Sequence, residues 1–331
     1  MPKSKNFLIA LLFIFLCPGK AVAHHTSQVS RLGAPTIAVR SSAKKNHTPP
    51  RLSIGLALSF SHFGRARLET KPYIKNAIGK AWVETNTLDV TLALPRRFFT
   101  SLSLPTGLIR LLPPNESSRT TKGLGDLTLA LGRQIPGTSS LPWLSAIFRG
   151  ALTVPTGQYR EESAFLLTEI AGGANGELGL RTYDSRASLG ADTFSVNGSI
   201  SIAAQIHPRI FLQNMTAFRL PIGRTRDDIR WGSDLESTIS LGGSLTKAVT
   251  LLGGAEFRKH LPDQTRMLEG TMTHASTGGR EDLGLEFGVS IGITKAISCG
   301  GRARFPIWQQ TSGVQLVYSF GLETNCRIDI R

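Results

Sequence analysis

The sequence predicts an all-β protein, a transmembrane antiparallel β-barrel of about twelve strands of the bacterial outer-membrane type. Three observations lead to this prediction. The chain of 331 residues begins with an export signal. Apolar residues then recur at every second position over many segments, which is the period of a strand and not of a helix. The connections between these segments alternate between short and long, as in barrels with tight turns on one side of a membrane.

The N-terminal residues 1–23 have the three parts of a secretory signal peptide. Lysines precede the apolar run Phe7–Leu16, and the segment ends on the small residues Ala21-Val22-Ala23. The apolar run is too short to cross a bilayer as a helix, which needs about 20 residues. We therefore predict export with a cleaved signal peptide, followed by a polar periplasmic segment over residues 24–50.

Alternation is clearest in residues 51–63, 282–294 and 313–322. From 52 to 60 the even positions hold Leu, Ile or Phe, and the odd positions between them hold Ser, Gly or Ala. In a membrane barrel the large apolar residues face lipid and the small or polar residues face the interior. The predicted strands are about 51–63, 80–94, 97–104, 124–134, 143–154, 194–206, 209–220, 232–245, 248–258, 282–293, 296–305 and 313–322.

The predicted barrel covers residues 51–322, with residues 323–331 as a C-terminal extension. An even number of strands places both ends of the barrel on the periplasmic side. Residues 311–318 read polar-x-Gly-x-x-apolar-x-aromatic. This string resembles the C-terminal signal that the barrel-assembly machinery recognises, which implies that machinery as a partner. The predicted location is the outer membrane of a Gram-negative bacterium.

Ten charged residues of the predicted strands fall on the face opposite to the large apolar residues. An Arg or Lys facing lipid at mid-depth would cost about 2–4 kcal/mol. We therefore predict a channel or uptake barrel for small molecules, with a narrow lumen lined by small residues and mixed charges. The alternative for the same charges is that they only tie opposite walls together. The predicted lumen-lining residues are Asp89, Asp126, Arg149, Asp234, Glu236, Glu256, Arg258, Glu286, Arg302 and Arg304.

Two short stretches carry a family resemblance. Gly123-Leu124-Gly125-Asp126-Leu127 opens one predicted strand, and Val154-Pro155-Thr156-Gly157-Gln158-Tyr159 closes the next. A G-x-G-D entry followed by a strand that ends in P-T-G resembles the outer-membrane family labelled as the meta-pathway of phenol degradation. The resemblance implies a transporter-like barrel that passes small solutes, with aromatic compounds as candidates.

Two other functions stay open. His274 and Ser276 stand two residues apart in a loop, and on an extended segment both side chains would point to one face. This pair resembles the His-x-Ser-Asn signature of outer-membrane lipid A deacylases and phospholipases, although Thr277 stands in the place of Asn. Glu281 or Asp282 would then be the acid that orients the histidine. The remaining alternative is a structural or lipopolysaccharide-binding barrel.

The net positive charge of the chain raises the question of which anionic partner it would bind. Removal of residues 1–23 lowers the formal net charge from +15 to +12. An exported chain does not meet nucleic acid, so lipopolysaccharide phosphates and outer-membrane lipid are the better partners for these charges. The sequence contains no G-x-x-x-x-G-K-S/T, C-x-x-C or H-E-x-x-H motif, and we predict neither a cofactor nor a metal site.

Two cysteines remain after processing, Cys299 and Cys326. If the last strand ends at residue 322, Cys299 lies opposite Phe320. Cys326 is then about 20 Å further along a straight chain. A disulfide would require the tail to fold back. One disulfide and two separate thiols both stay open, with the oxidising periplasm in favour of a bridge.

Overall fold

The computed structural model describes residues 52–69, 71–72, 80–112, 118–138, 140–157, 165–166, 182–183, 190–226, 229–266, 272–274 and 279–330. These residues form a closed antiparallel β-barrel of twelve strands, which confirms the predicted fold class. The predicted signal peptide (1–23) and the N-terminal segment (24–50) lie outside the described residues. None of the helices in the described part of the chain has the length and apolar character to cross a membrane.

The barrel strands follow one another around the wall in chain order. The first ten are β1 Leu52–Glu69, β2 Lys80–Ala93, β3 Phe98–Leu112, β4 Leu127–Ile135, β5 Leu144–Val154, β6 Phe194–His207, β7 Ile210–Ile222, β8 Asp234–Ser244, β9 Val249–His260 and β10 Arg280–Gly292. The extended segment Ile297–Ile330 supplies β11 and β12 as the two legs of one hairpin. Its residues 298–311 pair with β10, and its residues 311–330 pair with β1.

Pairing between β12 and β1 closes the barrel. Leu52 lies opposite Ile330, and the register continues along both strands toward Glu69 and Thr311. A closed sheet leaves no strand edge with unpaired N–H and C=O groups. This closure is the condition for a sheet to cross hydrocarbon.

The two ends of the barrel differ in their connections. At one end, here called the short-turn end, β2–β3, β4–β5, β6–β7, β8–β9 and β10–β11 are joined by tight turns, and the barrel begins and finishes there. At the other end, here called the long-loop end, the connections carry short strands of their own. These are Lys71–Pro72, Arg119–Leu124, Phe165–Leu166, Thr182–Tyr183, Ile229–Arg230, Gln264–Arg266 and Met272–His274. A 3-10 turn, Pro95–Arg97, joins β2 to β3.

Strand β3 is longer than predicted. The predicted strand covered residues 97–104 and was followed by a long loop. In the structure the Pro105 carbonyl accepts a hydrogen bond from the Gly125 N–H over 2.8 Å. The strand therefore continues to Leu112, with Arg119–Leu124 paired beside it.

The C-terminal boundary was predicted wrongly. Residues 323–331 were expected to form an extension, yet β12 continues to Ile330 and is paired with β1 throughout. The reason is closure, since β1 starts at Leu52 and its partner must reach the same rim. Glu323, Arg327 and Asp329 lie on one face of this strand, at positions separated by even numbers of residues.

A disulfide joins Cys299 on β11 to Cys326 on β12, with a Cα–Cα separation of 4.0 Å. The straight-tail geometry of the sequence analysis was wrong, because the hairpin continues beyond residue 322 and brings the two cysteines directly across from each other. Cys326 pairs with Leu56 and Cys299 with Ile291. Ile291 is exposed on the outside of the barrel, so the disulfide lies on the outer face near the short-turn end.

Apolar and polar side chains are distributed over the two faces of the barrel wall in the opposite way to that of a soluble protein. Large apolar side chains such as Leu58, Leu131, Ile239 and Phe287 are exposed on the outside. Polar and charged side chains are buried inside. Contiguous apolar surface around a whole barrel is the surface that lipid covers.

Candidate functional site

The candidate site is the barrel interior, in which polar and charged side chains are closely packed. Its buried polar side chains range from 1% exposed, for Asn197 and Glu236, to 9% exposed, for Glu323. In a wide aqueous pore such side chains would be open to solvent. In the described part of the interior these side chains are therefore packed against neighbouring protein atoms.

One side of the interior, formed by β2–β6, is lined mainly by small neutral polar groups and is here called the hydroxyl wall. The Thr128 and Thr153 hydroxyls are 2.9 Å apart, and the Asn197 amide donates to the Thr153 hydroxyl over 2.9 Å. Two charges interrupt this wall: Asp89 accepts a hydrogen bond from Ser103, and Arg149 donates to Ser101 over 3.3 Å. The residues of the hydroxyl wall are Thr85, Thr87, Ser101, Thr128, Ser145, Thr153, Ser195, Asn197 and Ser201.

The opposite side, formed by β7–β12, carries most of the charge and is here called the charged wall. Its members are Arg219, Asp234, Glu236, Glu256, Arg258, His260, Arg280, Asp282, Glu286, Arg302, Arg304, Glu323, Arg327 and Asp329. Strand register explains their arrangement. Arg219, Asp234, His260 and Arg280 form one row across four neighbouring strands, and Glu236, Arg258 and Asp282 form the next row. In most positions an acid therefore lies beside a base.

Ion pairs connect the middle of the charged wall. The Arg258 Nε atom is 2.8 Å from Glu256 Oε1 and 3.5 Å from Glu236 Oε2. Arg280 Nε is 2.6 Å from Asp282 Oδ2. Each arginine thus reaches an acid two positions along its own strand, and Arg258 also bridges to the neighbouring strand.

A second group of pairs lies closer to the short-turn end. Arg302 is 3.7 Å from both Glu286 and Glu323, and Arg304 Nη2 is 2.7 Å from Glu323 Oε2. The Ser240 hydroxyl donates to Glu286 over 2.8 Å. The charged wall is therefore close to neutral, because its seven carboxylates face six arginines and one histidine.

His260 links the charged wall to a loop. Its Nδ1 atom is 2.7 Å from Asp234 Oδ1, and its Nε2 atom is 3.1 Å from Asp263 Oδ1. Arg219 Nε contacts the other oxygen of Asp234 at 2.6 Å. Both imidazole nitrogens face carboxylate oxygens, which only accept, so the ring donates from both and is a cation in this arrangement.

Several loops meet beside His260 at the long-loop end. Asp126 accepts hydrogen bonds from the backbone N–H of Gly157 and of Ala191, over 2.9 Å and 2.8 Å. The Trp231 indole donates to the Ala191 carbonyl over 2.7 Å. The Gly232 N–H donates to Asp263 over 2.7 Å. These six residues and His260 are here called the mouth cluster, and they hold together the connections β3–β4, β5–β6, β7–β8 and β9–β10.

The residues that carried the family resemblance are part of this mouth. The Leu127 N–H donates to the Thr156 hydroxyl over 2.9 Å. A Cβ atom at Gly157 would lie 2.8 Å from the Cα atom of Gly190, so only glycine allows the two ends of the β5–β6 connection to approach this closely. The two stretches that resemble the family thus form one contact in space.

On the side formed by β3–β8, the interior near the short-turn end is apolar, whereas on β1 and β12 the Ser53 hydroxyl contacts the ion pair of Arg327 and Asp329 there. Phe99 packs against Ile147 and Ala203. Phe211 lies opposite Gly242, and its ring fills the space that a Cβ atom at Gly242 would need. An aromatic ring lying against a cross-strand glycine covers the backbone there and keeps the ring on the wall.

The structure places the predicted lumen residues in two settings. Asp126 is not on a strand but in the loop before β4, where it belongs to the mouth cluster. Strand parity predicted Arg219 to face inward, but the sequence analysis overlooked it. His260, Asp263 and Glu323 lay beyond the predicted strand ends. The others are on inward faces of strands: Asp89, Arg149, Asp234, Glu236, Glu256, Arg258, Glu286, Arg302 and Arg304.

The predicted His274–Ser276 pair receives no structural support. His274 is the last residue of a short strand, paired with Gln264, and Ser276 lies outside the described residues. The two acids suggested to orient the histidine have other partners: Glu281 is 2.6 Å from Lys259, and Asp282 pairs with Arg280. Within the described ranges no group of three or more His, Cys, Asp or Glu residues is arranged to hold a metal ion.

Comparison with known proteins relates the chain by fold. No family model and no curated protein matches it. The solved structure of the COG4313 outer membrane channel from Pseudomonas putida F1 is similar, with a TM-score of 0.65, 13% identity, and coverage of 85% of this chain and 96% of that chain. The NanC porin has a TM-score of 0.46 and 7% identity, covering 83% of this chain and 100% of its own. The similarity to the Pseudomonas putida structure supports the barrel fold, and the resemblance to the meta-pathway family is not confirmed.

Proposed function

We propose that this chain is an outer-membrane channel for small polar solutes, located in a Gram-negative bacterium after removal of the signal peptide. The observation that carries the proposal is the distribution of side chains, with exposed apolar groups outside and buried polar groups inside. The similar barrel from Pseudomonas putida F1 is described as an outer membrane channel, which supports the same role here.

The interior favours solutes that are small and carry little net charge. The hydroxyl wall offers neutral donors and acceptors, and the charged wall offers acids and bases in nearly equal number. A charged solute in such a narrow lumen would lie close to both acidic and basic side chains. We therefore expect cations and anions to enter the lumen about equally well. The apolar side chains near the short-turn end add a region through which a solute with an aromatic part could pass.

The proposed orientation places the short-turn end in the periplasm and the long-loop end outside the cell. The barrel-assembly machinery and lipopolysaccharide are the partners that this location implies. The mouth cluster then narrows the external entrance.

Conductance of the purified, folded protein in a planar bilayer tests the proposal. We expect stable single-channel steps with weak ion selectivity. Ser201 faces inward and its neighbour Ile202 faces outward, so they form a matched pair. A charged thiol reagent should reduce the conductance of Ser201→Cys and leave that of Ile202→Cys unchanged. Absence of steps from folded protein, or equal effects at both positions, would contradict the proposal.

A further inference from the structure

The short-turn end carries a ring of exposed cations, here called the cationic collar. None of the five turns contains an acidic residue. In the described part of the chain, none of these cations is in an ion pair with another described residue, whereas most charges of the interior are paired. The collar consists of Arg96, Arg97, Arg133, Arg209, Lys247 and Lys295.

Two turns of the collar repeat the same sequence and the same hydrogen bonds. The turn after Leu245 and the turn after Ile293 both read Thr-Lys-Ala. In each, the threonine hydroxyl accepts the backbone N–H groups of the second and third following residues, over 3.1 Å and 3.0 Å. The threonine thus closes the turn and leaves the lysine exposed at its tip. The two turns belong to neighbouring hairpins, so their tips are about 10 Å apart, or two strand spacings.

The β2–β3 turn contains two arginines in a backbone conformation that glycine adopts more readily. Arg96 has φ 56° and Arg97 has φ 65°, which is the left-handed region. Glycine adopts this region without steric cost, and residues with a Cβ atom rarely do. Non-glycine residues in this conformation point to a role for the side chain. Here that side chain is a cation at the rim of the barrel.

Exposed apolar residues lie directly beside the collar. Leu245 and Ile293 precede the two lysine turns, and Ile206 and Ile210 flank the turn that contains Arg209. Arg133 lies over the ring of Phe98, 5.2 Å from its centroid. A band of apolar side chains that ends in cations is the arrangement found where acyl chains meet headgroups. A soluble acidic protein would need the cations but not this apolar border.

We infer that the cationic collar binds the phosphate groups of anionic phospholipids in the leaflet at the short-turn end. The inference rests on the proposed membrane location. The chemistry is charge pairing between exposed Lys or Arg and lipid phosphate, with the neighbouring apolar side chains in contact with the acyl chains.

Native mass spectrometry of the full-length mature barrel in an equimolar mixture of phosphatidylglycerol and phosphatidylethanolamine tests the inference. The test variant is Lys247→Gln/Lys295→Gln. The control is Arg110→Gln/Lys122→Gln, which removes the same charge from exposed positions at the long-loop end. We expect the test variant to lose phosphatidylglycerol affinity by about fivefold for each lysine, and the control to keep the wild-type affinity. Added salt should weaken binding to the wild type.

Three results would overturn the inference. The first is an equal loss in both variants, and the second is no loss in the test variant. The third is binding of an acidic periplasmic protein through the collar without any preference among lipids. Insertion into neutral phosphatidylcholine vesicles, measured by protease protection, separates the two proposals. Failure to insert overturns the proposed location and the inference with it, whereas insertion without selective lipid binding overturns the inference alone.

Discussion

Asp126 and Gly157, 31 residues apart in the chain, are joined at the long-loop end by a hydrogen bond in which the Gly157 N–H donates to Asp126 Oδ1 over 2.9 Å. The other carboxylate oxygen accepts from the N–H of Ala191, 65 residues away. One buried side chain therefore holds two loops in place.

Replacement of Asp126 by Ala should release these loops. Hydrogen bonds to a charged group contribute about 1.5–3 kcal/mol each, so the variant should be less stable and its mouth should be cleaved faster by protease. Glu281→Ala is the control, because the ion pair of Glu281 with Lys259 joins side chains that are 34% and 42% exposed, and such surface pairs contribute little. Limited proteolysis of both variants in micelles measures the difference. Equal cleavage rates would argue against Asp126 as the main anchor.

Arg258 should control ion selectivity. It lies against Glu256 and Glu236, and Arg258→Gln would leave these two carboxylates without its charge. We expect the cation-to-anion permeability ratio to rise by roughly two- to fivefold, since charges in a narrow lumen are weakly screened. Glu256→Gln should shift the ratio in the opposite direction, and Arg258→Lys should leave it near the wild-type value. Reversal potentials in a salt gradient measure all three, and a shift in Arg258→Lys as large as in Arg258→Gln would contradict the assignment.

Gly242→Ala should narrow the lumen. The added methyl group overlaps the Phe211 ring, which must leave the wall and move toward the lumen. Overpacking of this kind costs about 1–3 kcal/mol, so the variant should also be less stable. Single-channel conductance should fall in Gly242→Ala and recover in Gly242→Ala/Phe211→Ala. Failure of the double variant to recover would show that the ring is not the obstruction.

The disulfide should stabilise the barrel. It closes a loop between positions 27 residues apart, and the chain-entropy model assigns about 3–4 kcal/mol to a loop of this length. Cys299→Ser/Cys326→Ser should therefore unfold at lower urea concentration than the oxidised wild type. Thiol counting on unreduced, unfolded wild-type protein should find no reactive thiol per mature chain. Two thiols per chain in fresh material would exclude the bridge.

Ser276→Ala tests the lipid hydrolase alternative. We expect lipid A acylation and phospholipid content to remain unchanged in cells that produce the variant. The reason is that Glu281 and Asp282, the acids nearest in sequence, pair with Lys259 and Arg280. Mass spectrometry of extracted lipids is the measurement. A deacylation or phospholipid cleavage that depends on Ser276 would replace the channel proposal with an enzymatic one.

Sequence by itself determined the barrel and most of its inner face. Strand periodicity is a local property: once an apolar residue such as Leu58 must face lipid, its neighbours Ala57 and Ser59 must face inward. The same parity placed Glu236, Glu256 and Glu286 in the interior without knowledge of their partners. Arg219 shares the parity of Phe211 and Met215 and faces inward too, but it was not among the predicted residues.

Only the tertiary structure decided where strands end and which distant residues meet. The end of β12 at Ile330 is set by its pairing with Leu52, more than 270 residues away, and no local pattern encodes that match. The disulfide follows from that register. The mouth cluster likewise joins Asp126, Ala191, Trp231 and Asp263 through contacts between loops, whose conformation depends on closure of the barrel. Periodicity reports which face a residue occupies, whereas closure, a property of the whole sheet, decides its neighbours.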